Sequence, residues 1–279
     1  FIYCFFLFSV SWLEQVSFLS GKAYIFPTRR KSTKKYGNRG RLCGKTLRKT
    51  FSYEYESSAF DLHYLCFPKN FERDMLTFIS CAKTMTARIS VGVPEITVPH
   101  FQAEAVQNAL DMGQFSAADL ERLLRINSKI AAENYLRYQD FFSEANSAMP
   151  AICAYTGAVF KRIVPKDFSE DDFRYAQEHM RITSFLYGLL RPLDGIKPYR
   201  LEGDVRLPER GGVTMFDYWK PLLTDYFIAD IKRQGGILVN LASGEMRDLF
   251  DWKRVEEEVR VITPEFQVWK DGQLKTIVI

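Results

Sequence analysis

The chain has 279 residues, 47% of them hydrophobic, with a net charge of +4 and a sequence pI near 8.7. That length and apolar fraction fit a globular protein with one large or two small domains and a sizeable core. The basic balance is not a nucleic-acid footprint of the folded body: residues 1–74 hold 13 Lys+Arg against 6 Asp+Glu, whereas residues 75–279 hold 25 against 28, a balance of −3.

The cysteines Cys4, Cys43, Cys66, Cys81 and Cys153 are odd in number and scattered, with no C-x-x-C pair, which fits a reducing cytosol. After Met75 only two Cys and two His remain, far apart, so neither a structural metal site nor a cofactor is expected.

In chain order, the apolar run Phe1–Val10 trails raggedly to Leu19 and is broken by Glu14 and Gln15; it lacks the basic flank of a signal peptide. A Lys/Arg-rich tract without periodicity follows from Arg29 to Lys49. All seven methionines lie at or after Met75. Residues 1–74 are therefore expected to be a disordered or non-native basic extension, either a true arm or upstream sequence translated in frame, and the methionine distribution favours the latter.

Met75 to Ser80 is predicted to form the opening strand of a domain. Val91 to Pro99 carries two prolines and reads as extended, and Phe101 to Leu110 reads as helical. Ser116 and Asp119 have the spacing of a capping box before the apolar stripe Leu120, Leu123 and Leu124, and a further helix follows Asn127 and Ser128.

Ser169 and Asp172 repeat that signal, with Glu170 and Asp171 at the positive end of the helix dipole. Phe173, Ala176, Met180, Ser184 and Tyr187 recur at three- and four-residue spacing, which predicts a helix running to Leu190, where Pro192 stops it. Another helix is predicted to start near Pro221 and end at Gly235 and Gly236. Ile237 to Ala242 reads as a buried strand, and Phe266–Lys270 with Gln273–Ile279 flank Asp271-Gly272 as a hairpin. This irregular alternation predicts an α+β (mixed α/β) fold: a single compact domain, a mixed sheet flanked by helices. No membrane span is expected in it.

Three polar clusters stand out. Arg191, Asp194, Lys197, Tyr199, Arg200 and Glu202 crowd a turn-rich loop, which either converges on a ligand or is stapled by ion pairs. Ser80 to Thr84, with Lys83, follows the first strand, and Ser243 to Glu245 follows the buried strand; strand C-terminal ends are where ligands gather in open α/β sheets. Neither cluster is a P-loop, and a lone Lys there is commonly a surface charge. His100 and His179 have no local context for nucleophilic catalysis, and His179 reads as a helix-surface residue. Cys81 reads as an inert thiol at a strand end in preference to a redox-reactive one whose pKa Lys83 lowers.

Ser80-x-Ala82-Lys83-Thr84, FSEDDF at 168–173, LYGLLRPLD at 186–194, PYRLE at 198–202 and VNLAS at 239–243, in this order, make residues 75–279 resemble the YaaA family. The resemblance implies a cytoplasmic bacterial protein of the peroxide stress response that limits damage from iron and hydrogen peroxide, is DNA-binding, and carries no cofactor. It also implies a chain incomplete at its C-terminus, since the family continues past the hairpin into a basic segment and a closing helix. Cys81 departs from the family's usual proline.

Matching positions nominate Lys83, Arg191, Tyr199, Arg200 and Glu202 as lining a shared cleft; with Arg181 added, Lys83, Arg191 and Arg200 are the candidate nucleic-acid contacts, and Asp194 joins Tyr199 and Glu202 as a cleft candidate. Besides iron handling by carboxylates and Cys81, ranked last because no ligand cluster at metal spacing is visible, two functions follow as expectations. One is a non-enzymatic stress protein holding DNA phosphates. The other is an enzyme on nucleic acid or a nucleotide, with Asp194 or Glu202 as acid or base and Arg191 and Arg200 clamping phosphate.

Overall fold

The computed structural model describes residues 13–19, 22–27, 75–270 and 273–277, and the side chains of residues 75–264. Most of the expected 1–74 extension, including the apolar run to Val10 and the basic tract from Arg29, lies outside the described residues. Within it, β1 (Leu13–Leu19) pairs antiparallel with β2 (Lys22–Pro27).

The body opens with β3 (Leu76–Ile79), followed by an extended stretch and three helices, α1 (Gln102–Gly113), α2 (Ala117–Leu124) and α3 (Ser128–Gln139). The Ser116 capping box is formed: the Ser116 hydroxyl accepts from the Asp119 N–H at 3.2 Å and the Asp119 carboxylate accepts from the Ser116 N–H at 3.2 Å. These bonds satisfy amide groups that a helix start otherwise leaves unpaired. Asn127 caps α3 in the same way, accepting from the Ile130 N–H at 2.9 Å.

Next come β4 (Met149–Pro150), the single turn α4 (Ala151–Ala154) and α5 (Glu170–His179), which starts at the predicted Ser169 box. The expected continuation of this helix to Leu190 is not observed. Helix α5 stops at His179, and the chain passes directly into β5 (Met180–Ser184), turns, and returns antiparallel as β6 (Gly188–Leu190). Every residue from Met180 to Leu190 is buried, the polar Arg181, Thr183 and Ser184 included, so the apolar spacing that suggested one helical face had no exposed face against it. The β-branched pair Ile182 and Thr183 and the left-handed Gly188 (φ +74) decide for a strand and a tight turn. A Cβ at Gly188 would stand 2.8 Å from the Trp219 ring, so the turn also requires glycine sterically.

After the short β7 (Gly195–Ile196), helix α6 (Met215–Arg233) crosses the domain. Pro221 lies inside α6 rather than in its first turn. The start is set six residues earlier, where the Thr214 hydroxyl accepts from the Asp217 N–H at 3.1 Å. The chain ends with β8 (Ile237–Asn240), a 3-10 turn at Gly244–Leu249, α7 (Trp252–Glu258), β9 (Arg260–Ile262), β10 (Glu265–Lys270) and β11 (Gln273–Ile277). The expected hairpin is present, with Lys270 opposite Gln273 and Phe266 opposite Ile277, and β2 adds in parallel to β10.

The central sheet has the order β6-β5-β3-β8-β9. Its middle strand β3 pairs in parallel with β5 on one side and β8 on the other, β9 continues in parallel, and only β6 is antiparallel. The fold is mixed α/β. Phe78 of β3 is fully buried and packs against Phe227 of α6 at 5.1 Å and Phe250 at 5.5 Å, while Phe227 stacks on Phe250 at 4.5 Å. Burial of each such ring contributes about 1.5–3 kcal/mol, which fixes α6 against the sheet. Trp219, also fully buried, donates its indole N–H to the Phe185 carbonyl at 2.8 Å, so α6 holds the end of β5 as well. Among the described residues, no helix is long and apolar enough to cross a membrane.

Candidate functional site

The first strand of the body sits in the middle of the sheet, and the chain then places one parallel neighbour on each side of it. Such a switch in strand order opens a crevice at the C-terminal strand ends, because the following loops diverge. A cleft of about 190 Å³ lies there. It is formed by Ser80 to Lys83 after β3, Phe185 after β5, and Ser243 to Met246 after β8, and is closed by the loop Tyr199 to Glu202. The volume is below the roughly 300–1,000 Å³ of pockets for drug-sized ligands and suits a phosphate or a single small ring.

The loops are tied to one another across the sheet. The Ser80 hydroxyl accepts from the Ser243 N–H at 2.9 Å and donates to the Ser243 hydroxyl at 3.2 Å. The Cys81 N–H donates to the Thr183 hydroxyl at 2.9 Å, and that hydroxyl donates to the Met246 sulfur at 3.1 Å. Beneath the cleft the Tyr199 hydroxyl bonds those of Tyr155 (2.8 Å) and Ser184 (2.7 Å). Burial raises both tyrosines well above the ordinary phenol range, so this network stays neutral. Tyr138 donates to the Arg200 carbonyl at 2.7 Å, fixing the loop that bears Arg200. Gly203 allows close approach at its end: a Cβ there would lie 2.2 Å from the Phe216 ring and 2.7 Å from the Phe185 ring.

The charged groups meet on one carboxylate. Lys83 Nζ stands 3.0 Å from Glu202 Oε2, and Arg200 Nη2 stands 2.8 Å from Glu202 Oε1. The arginine contact is an ion pair whose angles fall outside hydrogen-bond geometry, and the buried Arg200 Nε–H has no acceptor among the described residues. The Lys83 side chain is 68% exposed, whereas those of Arg200 and Glu202 are 16% and 13% exposed. The cleft thus presents two cations, Lys83 and Arg200, against two carboxylates, Glu202 between them and Glu245 in the wall after β8.

Cys81 sits in the same wall. Burial, with smaller contributions from Glu202 and Glu245, pushes its thiol up to about 11 against the hydrogen bond of Thr183. It is a neutral thiol at physiological pH, the state expected of an inert cysteine.

Of the residues nominated from sequence, Lys83, Tyr199, Arg200 and Glu202 come together here, joined by the clusters after β3 and β8. Asp194, Arg191 and Arg181 do not. The Asp194 side chain is buried and spent on a turn: Oδ2 accepts from the Arg191 N–H (2.8 Å), and Oδ1 from Thr97 Oγ1 (2.7 Å) and Arg191 Nη2 (2.9 Å). So enclosed and ion-paired, it is a structural carboxylate and not a group of the cleft. Arg181 is 2% exposed and clamped on Asp230, Nε to Oδ2 at 2.5 Å and Nη2 to Oδ1 at 3.1 Å, with Nη1 on the carbonyls of Gln177 and Met180. A guanidinium so occupied has no donor to offer a phosphate. Lys197 donates to the Phe141 carbonyl at 2.6 Å. His179 is not a helix-surface residue either: its side chain is 11% exposed, stacked on Tyr175 at 4.3 Å, with Nδ1 3.2 Å from the Met75 carbonyl.

Phe185 and the Tyr155–Ser184 pair escaped the sequence reading because Met180–Ser184 read as helix; recognised as a strand, its C-terminal end would have nominated Phe185 at once. Among the described residues, no group of three or more His, Cys, Asp or Glu stands close enough to hold a metal.

Residues 75–279 match the family described as peroxide stress protein YaaA. A UPF0246 protein of Phocaeicola vulgatus is 71% identical over 205 residues, covering 74% of this chain and 80% of that protein. One from Bacteroides fragilis is 66% identical over the same shares, and one from Clostridium beijerinckii is 36% identical over 207 residues, covering 74% and 79%. With a family match over the whole body and relatives this similar across most of their own length, the chain belongs to the peroxide stress protein YaaA family.

Proposed function

We propose that this protein acts in the cytoplasm in the response to hydrogen peroxide, limiting damage from iron and peroxide by binding DNA, and that the cleft receives a backbone phosphate. The observation that carries this reading is the convergence of Lys83 and Arg200, from loops distant in sequence, on the single carboxylate of Glu202 at the switch point of the sheet. The exposed Lys83 ammonium shares its counter-ion with Arg200, so a phosphate can take the place of Glu202 on it, and the Ser80 and Ser243 hydroxyls that line the same cleft suit phosphate oxygens.

The test is binding of labelled duplex DNA at several salt concentrations by the full chain and by a Lys83→Ala/Arg200→Ala variant. The variant is expected to bind more weakly and to flatten the plot of log affinity against log salt by about 1.8, the release of two counterions. Absence of duplex binding by the parent chain, or equal slopes for the two proteins, would rule the reading out.

A second reading, an enzyme acting on nucleic acid or a nucleotide, is favoured by one feature: Glu202 is a carboxylate held among the phosphate-binding groups, where a general acid or base would stand. It requires turnover that disappears in Glu202→Gln.

A further inference from the structure

The end of the sheet opposite the cleft carries side chains that the cleft does not use. Strand β5 runs from Met180 at that end to Ser184 at the cleft, and β6 returns antiparallel, so Arg191 emerges beside Arg181. On α6, Tyr226, Asp230 and Arg233 stand at i, i+4 and i+7 and share one face. Asp230 is buried beneath that face, paired with Arg181 and Arg233. Asp194 is buried beneath Arg191 in the same manner.

Both carboxylates lie under the surface while the Arg233 side chain is 63% exposed and that of Arg191 36% exposed, so the charge turned outward is guanidinium. Each arginine is also held in place by its acid rather than free to wander. Beside them His100 is exposed, its ring stacked on Tyr226 at 4.2 Å and 22° and braced by the edge of Phe101 at 4.7 Å. Arg191 Nη2 reaches the carbonyl of Val98, two residues before His100, at 3.3 Å. Arg181, Arg191 and Arg233 all act electrostatically on the Tyr226 hydroxyl, which places the aromatic pair among the cations.

We infer that this face is a second nucleic-acid contact, which takes a single-stranded segment with one base stacked on His100 and the neighbouring phosphates on Arg191 and Arg233. Two arginines alone would fit any anion; a flat exposed ring stacked on the tyrosine that both of them act on selects a ligand that alternates planar groups with negative charge. Only an unstacked strand offers the face of its bases, which makes a single strand the fitting occupant. The inference shares the nucleic-acid reading of the cleft but uses none of its residues.

The test measures binding of a labelled oligothymidylate by the full chain across a salt series, with His100→Ala, Arg233→Gln and the cleft variant Lys83→Ala/Arg200→Ala. His100→Ala is expected to weaken binding about tenfold through the lost stacking. Arg233→Gln should flatten the salt slope by about 0.7, one phosphate contact on a single strand. Arg233→Gln leaves Asp230 paired with Arg181, so an unchanged thermal midpoint certifies its fold.

The cleft variant should retain oligothymidylate binding. Failure of the parent chain to bind the oligonucleotide, parental behaviour of both His100→Ala and Arg233→Gln, or loss of binding in the cleft variant alone would each overturn the inference. Single-strand binding that depends on His100 in a protein that ignores duplex DNA would sustain it while removing the cleft reading.

Discussion

The two ends of the central sheet use the same side chains in opposite states. At the cleft, Glu202 stands between Lys83 and Arg200 in a solvent-open crevice, and the Lys83 ammonium is 68% exposed. At the other end, Asp230 and Asp194 are entirely enclosed, and Arg181, 2% exposed, spends its guanidinium on Asp230 and on the carbonyls where α5 gives way to β5. A buried pair must offset the desolvation of both ions by geometry, so it is bound to one arrangement. An exposed pair loses little when separated and can exchange its partner for a ligand. Burial of both partners, as in Arg181–Asp230, therefore marks a structural pair, whereas Lys83, Arg191 and Arg233 keep exposed cationic side chains over enclosed acids.

The largest effect expected from this contrast is at the enclosed end. Asp230→Ala leaves Arg181 buried and uncompensated, and is expected to lower the unfolding free energy by about 3–5 kcal/mol. Urea denaturation reads this directly. An Arg181→Met/Asp230→Leu variant, which removes both charges and keeps the volume apolar, should recover most of the loss. Lys83→Ala, at the open end, should change stability by less than about 1 kcal/mol. Equal losses at the two ends would erase the distinction.

How far the sequence disclosed this arrangement depended on how local each determinant is. The capping boxes at Ser116 and Ser169 and the turn before β11 are set by residues three or four apart, and they were legible. The start of α6 was misplaced because Pro221 was given more weight than Thr214 and Asp217, although a proline inside a long, well-packed helix is tolerated when tertiary contacts hold it. The segment 180–190 misled because its polar residues, Arg181, Thr183 and Ser184, are buried like the apolar ones, so polarity does not mark which period the chain follows.

For the site, each polar cluster was visible, yet their meeting was not. The Ser80–Ser243 hydrogen bond spans 163 positions and the Arg181–Asp230 pair 49, and nothing local in either segment names its partner. Arg181 consequently looked like a phosphate contact, whereas Asp230 claims it. Proline placement and charge spacing report on the chain within a few residues; which strand lies beside β3 is decided by packing.

Cys81 sharpens the contrast from inside the cleft wall, since a neutral buried thiol there argues against a peroxide-reactive centre. Its thiol is raised from 9.0 to about 11, chiefly by burial. At pH 8 this leaves about a hundredfold less thiolate than an unperturbed cysteine, a shift of two units being two factors of ten. Alkylation by iodoacetamide at that pH should be slower by about that factor in the native protein than in the urea-unfolded chain. The sign for stability follows: the native state holds this proton more tightly, so its contribution is full below pH 9.0 and is lost as pH rises through about 11. Rapid native-state alkylation at pH 8 would place Cys81 among the reactive groups of the cleft.

The most discriminating change in behaviour is expected from Glu202→Gln. The substitution keeps the shape of the side chain and withdraws one negative charge from between Lys83 and Arg200, whose pairing with it is worth at most about 1 kcal/mol at the exposed lysine. Any fall in the unfolding midpoint should come from the Arg200 contact, whose two side chains are largely buried, rather than from the exposed lysine. Duplex affinity should rise at low salt, and the advantage should shrink as salt increases, because the two cations are no longer neutralised internally and screening acts on what they gain. If Glu202 were instead a general base, the same variant would bind more tightly and turn over nothing, so measuring binding and product together separates a counter-ion from a catalyst. Unchanged affinity at every salt concentration would mean that Lys83 and Arg200 do not face the nucleic acid at all, and the open end of the sheet would then be as structural as the closed one.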